Sequence, residues 1–161
     1  MFKGIIRELK REDAKNVGGI FDLYWSGDFR QNLSKRLNEF VNQTPDSIRQ
    51  GFKYFVAEEN GEVVGVAAFR KLPDHMKQYA QTEKPAEFYV SAVKQKDEGI
   101  GTALRVARIE EAKKIGYTEV LFFSGETHKD SWDFHDEGFE RAGIAIAPNG
   151  EAGYVWRTVL K

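Results

Sequence analysis

The sequence has no cysteine, only four prolines and no long apolar run. Without a thiol the chain has no disulfide, no thiolate metal ligand and no cysteine nucleophile. No stretch approaches the ~18 consecutive apolar residues of a membrane-spanning helix, and the opening Met-Phe-Lys-Gly is not typical of a signal peptide. We therefore expect a cytoplasmic protein that has no membrane partner.

An excess of charge of one sign is also missing. The chain carries 24 Lys and Arg against 25 Asp and Glu. Because so balanced a charge creates no global field toward nucleic acid, we expect no nucleic-acid partner. Hydrophobic residues at 41 % and charged residues at 30 % are typical of a globular protein, and 161 residues fit a single domain over 1–161.

Helical periodicity marks the first part of the chain. After a strand at 5–9, apolar residues at helical spacing predict a helix from Asp13 to about Trp25, weakened by the adjacent glycines 18 and 19. A second helix is predicted around 33–41. Thr44-Pro45 then has the pattern of an N-cap and first-turn proline of a short helix.

The rest of the chain contains most of the predicted strands. The β-rich segments 53–59 and 62–70 are joined by Asn60-Gly61, a dipeptide that favours a type I′ hairpin. The polar stretch 71–86 is long for a plain connection and is predicted to be a functional or mobile loop. The remaining predicted elements are a strand at 87–93, a helix at 101–115 closed by Gly116, a strand at 119–124, a short helix opened by a capping box at Thr127, and two strands around 148–150.

This order of elements predicts an α/β (α+β) fold. Long strand-helix-strand units favour some parallel pairing, whereas the hairpins add antiparallel strands, so the sheet is expected to be mixed. The dinucleotide-binding fold is not favoured, because the glycines come in the middle of the chain and no acidic residue follows at the end of the next strand.

A glycine turn is the most informative motif. The segment Lys96-Asp97-Glu98-Gly99-Ile100-Gly101 lies between a predicted strand and a long predicted helix. Glycines at the start of a helix let several backbone N–H groups point at one spot, where the helix dipole also favours an anion such as phosphate. The glycines alone are equally compatible with an ordinary strand-to-helix turn.

With its surroundings, the turn resembles the GNAT superfamily of acyl-CoA-dependent N-acetyltransferases over nearly the whole chain. The family signature is Gln/Arg-x-x-Gly-x-Gly/Ala; here Lys96 takes the first position, and the following helix matches up to its closing Gly116-Tyr117. The resemblance implies one N-acetyltransferase domain with a mostly antiparallel sheet of about seven strands flanked by helices. It also implies acetyl-CoA as acyl donor and no metal.

The resemblance further implies a set of cofactor-binding residues. In the family the fourth and fifth strands splay apart, and the pantetheine arm bonds to the backbone of the fourth strand, which here contains Ala92 and Val93. The diphosphate and its surroundings are expected to be held by Lys96, Asp97, Glu98, Gly99, Ile100, Gly101, Thr102, His128 and Ser131.

Glu87 is the candidate general base. The stretch 86–93 resembles the fourth strand of histone-type family members, whose catalytic glutamate occupies the matching position. Neighbouring rings at 88 and 89 would raise the pKa of such a carboxylate toward neutrality. The alternative is a solvated glutamate at the start of a strand.

His135 is the candidate acid for the departing thiolate. The family often has Asn-x-x-Ala-x-x-Phe-Tyr here, and aligned from the front His128, Ser131, Phe134 and His135 take these four places. A protonated imidazole can donate to a thiolate as a phenol does. Counting back from Gly138-Phe139 instead places Phe134 at the Tyr position and Thr127 at the Asn position, and in that alignment no acid is present. A metal site or a Ser131–His135 nucleophile pair lacks a third partner.

The acceptor is predicted to be an amine of a small molecule or a peptide. Phe21, Tyr24, Trp25 and Phe29 form an aromatic group in the region where family members build the acceptor pocket. Helical spacing predicts Phe21 and Tyr24 to be core residues, whereas Trp25 and Phe29 fall off that stripe and are candidates to line the pocket. Asp22 and Asp28 would attract a cation or be solvated. A non-catalytic acyl-CoA sensor on the same fold and a domain for another phosphorylated ligand are the alternatives. Pairing of the last strands in a homodimer stays open.

Overall fold

The computed structural model describes residues 1–96, 98–125, 138–147 and 150–161. The strands are β1 (Ile5–Glu8), β2 (Lys53–Glu59), β3 (Glu62–Lys71), β4 (Pro85–Val93), β5 (Glu119–Gly125), β6 (Glu140–Ile146) and β7 (Ala152–Val159). The helices are α1 (Ala14–Phe21), α2 (Gly27–Val41), α3 (Pro45–Gln50) and α4 (Ile100–Ile115), with short 3-10 helices at Arg11–Asp13 and Asp74–Tyr79.

The strands form one mixed sheet in the order β1-β2-β3-β4-β5-β7-β6. β4 and β5 pair in parallel, whereas β1 with β2, β2 with β3, β5 with β7 and β6 with β7 pair antiparallel. The register of β4 with β5 covers Pro85–Glu87 on β4. The predicted fold class, a mixed seven-stranded sheet with flanking helices, is confirmed.

One compact unit comprises Met1–Arg70 and Tyr89–Glu111. Its core joins apolar residues of α1 and α2 to those of the sheet. The buried members include Val17, Ile20, Phe21, Leu33, Leu37, Tyr54, Val56, Val66, Ala68, Val90 and Ala92. Burial of this continuous apolar surface is the main force that holds the two helices on the sheet.

A second compact unit comprises Lys71–Phe88 and Ala112–Lys161. In its described part, Leu72 and Met76 from the segment before β4 pack with Leu121 of β5 and Val155 of β7. No helix among the described residues is long and apolar enough to cross a membrane.

Several local predictions are confirmed. Asn60 and Gly61 have φ of 54° and 76°, the left-handed angles of a type I′ turn. Thr44 caps α3 by accepting the Ser47 N–H at 3.3 Å. Gly116 ends α4 with a φ of 103° that glycine tolerates. These features depend on short sequence patterns with a direct steric or hydrogen-bonding cause.

The bounds of the first two helices differ from the prediction. α1 ends at Phe21 rather than near Trp25, because the N–H groups of Tyr24 and Trp25 both donate to the Phe21 carbonyl at 3.0 Å and close a turn. α2 begins at Gly27, well before the predicted apolar stripe. Between Gly27 and Leu33 the exposed Phe29 is the one large apolar residue, so the spacing of apolar residues does not indicate the start of this helix.

Candidate active site

The glycine turn leads directly into α4. Gly99 precedes the first helical residue with a φ of 84°, a left-handed angle that strains other residues. A Cβ added at Gly99 or Gly101 would meet no atom of the described residues within 4 Å, so these residues leave the backbone face of the turn open. The exposed Thr102 follows in the first turn of the helix.

Contacts on the sheet hold the start of α4 in place. Ile100 and Leu104 are buried, at 4 % and 0 % exposure, and both lie against Gly65 of β3. The Gly99 carbonyl accepts the Ala103 N–H at 3.1 Å, the first bond of the helix. The N–H groups before it have no intrahelical partner, and they sit at the positive end of the helix dipole. The turn therefore fits an anionic group such as a diphosphate.

The two lysines before the turn have different partners. The Lys94 ammonium donates to a carboxylate oxygen of Glu62, which offsets its charge. The exposed Lys96 ammonium lies 5.8 Å from the centroid of the Tyr24 ring, a cation–π distance. Lys96 is thus the lysine whose charge is available to an anion at the turn. Asp97 lies outside the described residues.

A cavity of about 410 Å³ adjoins the turn but does not suit phosphate. Its lining includes three glutamates and one lysine, besides apolar and amide groups: Glu59, Glu62, Val64, Lys94, Gln95, Glu98 and Ile100. The Lys94 and Met1 ammonium groups pair with Glu62 and Glu98, so the carboxylates still exceed the cations by one and the cavity does not favour a diphosphate. The backbone face of the turn is better suited to an anion than this cavity is. Glu98 contributes its backbone to the turn and its half-buried side chain to the cavity.

The end of β4 carries the residues expected to line a pantetheine arm. Ala92 is buried and Val93 is half-buried. The Lys94 N–H donates to the Val64 carbonyl of β3 at 2.8 Å, which ties this end of β4 to its neighbour. The Val93 carbonyl accepts a hydrogen bond from the Tyr24 hydroxyl. Neither residue type nor spacing indicates this last contact.

Glu87 is half-buried near the start of β4, opposite Leu121 of β5 in the parallel register. Along β4 the buried residues alternate with less buried ones, and Glu87 belongs to the less buried set. Its neighbour Phe88 packs against Phe139, with ring centroids 6.3 Å apart. The catalytic role of Glu87 stays a prediction.

An aromatic segment connects α1 to α2. Phe21 is fully buried, and the rings of Tyr24 and Phe29 each lie 5.6 Å from that of Trp25. Tyr24 and Phe29 are 38 % and 48 % exposed, so the prediction that Tyr24 is a core residue is wrong and both side chains are partly open to solvent. The segment thereby runs from the core to the surface.

Of the two aspartates predicted to attract a cationic amine, one already forms an ion pair within the protein. The Asp22 carboxylate accepts the Arg30 Nε–H at 2.7 Å. The Arg30 guanidinium also donates to the Gly18 carbonyl and lies over the Phe21 ring. Asp28 is exposed in the first turn of α2. Asp28 is therefore the better candidate to attract a cationic acceptor.

The predicted residues of the helix after β5 lie outside the described residues. These are His128, Ser131 and His135, together with Thr127 and Phe134 of the alternative alignment. Among the residues that the structure does describe, no group of three or more His, Asp or Glu side chains is placed to hold a metal ion.

Two buried charged residues were not predicted from the sequence. Arg108 of α4 is 5 % exposed and donates to the backbone carbonyls of Ala68 and Val90 at 3.3 and 3.5 Å. Glu119 of β5 is fully buried and accepts from the segment before β4. Charged residues usually lie on the protein surface, so only the tertiary structure shows that these two are buried.

Comparison with known proteins agrees with this architecture. The sequence profile described as "Acetyltransferase (GNAT) family" matches residues 19–139. A structure from Desulfovibrio desulfuricans assigned to the GNAT acetyltransferases has a TM-score of 0.81 and 16 % identity, with 99 % of this chain and 100 % of that chain covered. An N-acetyltransferase from Staphylococcus aureus Mu50 has a TM-score of 0.72 and 21 % identity, with 99 % of each chain covered.

A third similar structure contains a ligand. The PaiA N-acetyltransferase from Thermoplasma acidophilum, in complex with coenzyme A, has a TM-score of 0.68 and 13 % identity, covering 98 % of this chain and 99 % of that chain. No curated protein matches the sequence. The structural matches show a shared fold, and the family profile covers most of the chain. The chain belongs to the acetyltransferase (GNAT) family.

Proposed function

We propose that the protein is an acetyl-CoA-dependent N-acetyltransferase that moves an acetyl group to a primary amine by direct attack in a ternary complex. The observation that carries the proposal is the open glycine turn at the start of α4, where Gly99 has a φ of 84° and Lys96 supplies an available cation. Membership of the GNAT family supports the same donor.

The cofactor-binding role is assigned to two stretches of the chain. The N–H groups after Gly99 would hold the diphosphate of coenzyme A, with Lys96 beside it, because they have no partner within α4. The backbone at Ala92 and Val93 would bond the pantetheine arm. Thr102 is exposed in the first turn of α4 and is assigned to the same group. Asp97, His128 and Ser131 are assigned here by family resemblance alone.

The chemistry requires one proton to leave and one to arrive. The amine nitrogen forms a bond to the thioester carbonyl carbon, the C–S bond breaks, and the products are an acetylamide and the free thiol of coenzyme A. Glu87 would take the proton that the attacking amine loses. His135 would give a proton to the departing thiolate, if the alignment that places it at the family's Tyr position holds. No acyl-cysteine intermediate is available, because the chain has 0 Cys.

The acceptor is assigned to the aromatic segment between α1 and α2. Exposed faces of Tyr24 and Phe29 offer apolar contact, and the exposed Asp28 offers a negative charge. This combination suits an amine that is cationic in solution and carries an apolar group nearby. Both small amines and the first residues of a peptide meet that description.

The test is release of the coenzyme A thiol from acetyl-CoA in the presence of a panel of amines. The panel should contain arylalkylamines, linear polyamines, free amino acids and short peptides with free amino termini. We expect amine-dependent thiol release with at least one class, and mass spectrometry should find the acetylated amine. Saturable acetyl-CoA binding without turnover on any class would contradict catalysis and favour an acyl-CoA sensor.

A further inference from the structure

One tyrosine contacts both parts of the chain to which cofactor binding is assigned. The Tyr24 hydroxyl donates to the carbonyl of Val93, the last residue of β4. The ring of the same residue lies under the ammonium of Lys96, 5.8 Å from its centroid. Tyr24 belongs to the segment between α1 and α2 and is 69 residues from Val93 in sequence.

Backbone and ring contacts hold the Tyr24 ring in place. The Tyr24 N–H donates to the Phe21 carbonyl at 3.0 Å, and the ring of Trp25 lies 5.6 Å away at a tilt of 46°. Phe21, fully buried, anchors the turn in the core. A side chain fixed by both backbone and ring contacts can fix its own partners in turn.

The two contacts act on different groups. A hydrogen bond to the Val93 carbonyl restrains the end of β4, where the strand gives way to the glycine turn. A cation held over a ring face keeps its charge while its flexible stem loses freedom. Lys94 is paired with Glu62, so Lys96 is the cation that this contact can direct.

We propose that Tyr24 is a positioning residue of the cofactor site, which orders the end of β4 through its hydroxyl and the Lys96 ammonium through its ring. The inference rests on the proposed function, since it assigns these partners to coenzyme A. Tyr24 touches no reacting atom. It ties the segment assigned to the acceptor to the groups assigned to the cofactor, so that both ligands depend on one side chain.

The two contacts are separable by substitution. Tyr24→Phe removes the hydroxyl but keeps the ring, whereas Tyr24→Leu removes both. Lys96→Met removes the cation alone. Tyr79→Phe is the matched control, because the Tyr79 hydroxyl also donates to a backbone carbonyl, that of Ile144 at 3.1 Å, and both residues belong to the other compact unit.

The two contacts of Tyr24 can also be distinguished by the choice of ligand. Coenzyme A carries the diphosphate, whereas pantetheine lacks it. We expect Tyr24→Phe to weaken binding of both ligands about fivefold, since it loses one hydrogen bond. Lys96→Met should weaken coenzyme A about threefold and leave pantetheine unchanged, as for an exposed ion pair. Tyr24→Leu should weaken coenzyme A binding more than Tyr24→Phe does. In the Lys96→Met background the loss of affinity caused by Tyr24→Leu should be smaller.

The measurement is the dissociation constant of each ligand for each folded variant, with circular dichroism and melting curves as the check on folding. Equal affinity of wild type, Tyr24→Phe and Tyr79→Phe for coenzyme A would overturn the inference. Tighter coenzyme A binding by Tyr24→Phe would also overturn the inference, because the Tyr24 hydroxyl would then compete with the ligand for the Val93 carbonyl. Failure of wild type to bind coenzyme A would instead overturn the proposed function.

Discussion

Gly65 of β3 packs so closely against Ile100 of α4 that a side chain at position 65 would not fit unless its neighbours moved. A Cβ at Gly65 would lie 2.8 Å from Cγ2 of Ile100 and 3.1 Å from Cδ1 of Leu104. Close approach at this glycine sets the position of the first turn of α4, and therefore of the backbone amides to which diphosphate binding is assigned.

Gly65→Ala is expected to lower the free energy of unfolding by about 1–3 kcal/mol, because the buried ends of two side chains must shift. Coenzyme A affinity should fall as well, since the shift occurs at the start of α4. The control is Gly19→Ala in α1, where a Cβ would meet nothing within 4 Å. That change should stabilise the protein by about 0.5–1 kcal/mol through helix propensity. Urea unfolding measures both, and equal stability of Gly65→Ala and wild type would contradict the steric account.

Asp13 and Arg7 form a partly buried ion pair that makes stability depend on pH. The two Arg7 nitrogens donate to the two Asp13 oxygens at 2.8 and 3.0 Å, and the Lys10 N–H donates at 2.7 Å. Chiefly through the Arg7 hydrogen bond, the pKa of Asp13 is lowered from its usual value. The carboxylate therefore stabilises the fold above the unfolded-state pKa of about 3.9, and this contribution is lost as the pH falls through the lower folded-state pKa.

Asp13→Asn should cost roughly 2 kcal/mol of unfolding free energy near pH 7, with the difference from wild type shrinking below about pH 4. Chemical denaturation at a series of pH values measures the difference. Asp74→Asn serves as control: its carboxylate also has a lowered pKa, due mainly to Lys77, but it is exposed on the surface. If the unfolding free energies of Asp13→Asn and wild type differed by the same amount down to acid pH, the Arg7–Asp13 pair would not be the cause of the pH dependence.

Glu119 fixes the segment that precedes β4. Its fully buried carboxylate accepts from the N–H of Gln81 at 2.9 and 3.1 Å, and from the N–H and hydroxyl of Thr82, each at 2.9 Å. Glu119→Gln would turn an amide donor toward these donors and should cost about 1–3 kcal/mol. Limited proteolysis should then cut within 72–84 faster than in wild type. Glu83→Gln, an exposed neighbour, should not change the rate.

Glu87 is tested by its pH profile. If the carboxylate removes the amine proton, Glu87→Gln should lower kcat by about 10²–10⁴-fold, and the acidic limb of the wild-type profile should disappear. The dissociation constant of acetyl-CoA should stay nearly unchanged. Glu110→Gln, an exposed glutamate on α4, is the matched control for loss of one negative charge. An unchanged profile in Glu87→Gln would remove Glu87 from the mechanism.

His135 is tested by removal and by replacement. His135→Phe should lower kcat, and His135→Tyr should restore a large part of it, because a phenol can also donate a proton to a thiolate. Should the alternative alignment hold, His135→Phe would be silent and Phe134→Tyr would raise kcat. Steady-state rates with a fixed amine distinguish the two alignments.

The features that the sequence predicted correctly have local physical causes. Asn60-Gly61, Thr44-Pro45 and Gly116 each demand a particular backbone geometry, and each has it. The mixed sheet followed from the order of elements. The end of α1 was wrong because apolar spacing continues to Trp25 while the backbone already turns at Phe21.

The contacts that shape the candidate site join residues far apart in the chain. The Tyr24 hydroxyl reaches Val93 across 69 positions, and Glu119 reaches Gln81 across 38. Neither residue type nor spacing encodes such a partner. The sequence located the glycine turn, but it could not show that Lys94 is paired with Glu62 and that Lys96 lies over Tyr24.

Titration calorimetry with coenzyme A tests the central assignment most directly. Binding of coenzyme A at the Gly99 turn should release or absorb heat that saturates at one ligand per chain. Lys96→Met should weaken this binding and leave the melting temperature of the free protein unchanged. ATP and NAD should produce no comparable saturation. A folded wild-type sample that releases or absorbs no heat with coenzyme A or acetyl-CoA would contradict the assignment of diphosphate binding to this turn.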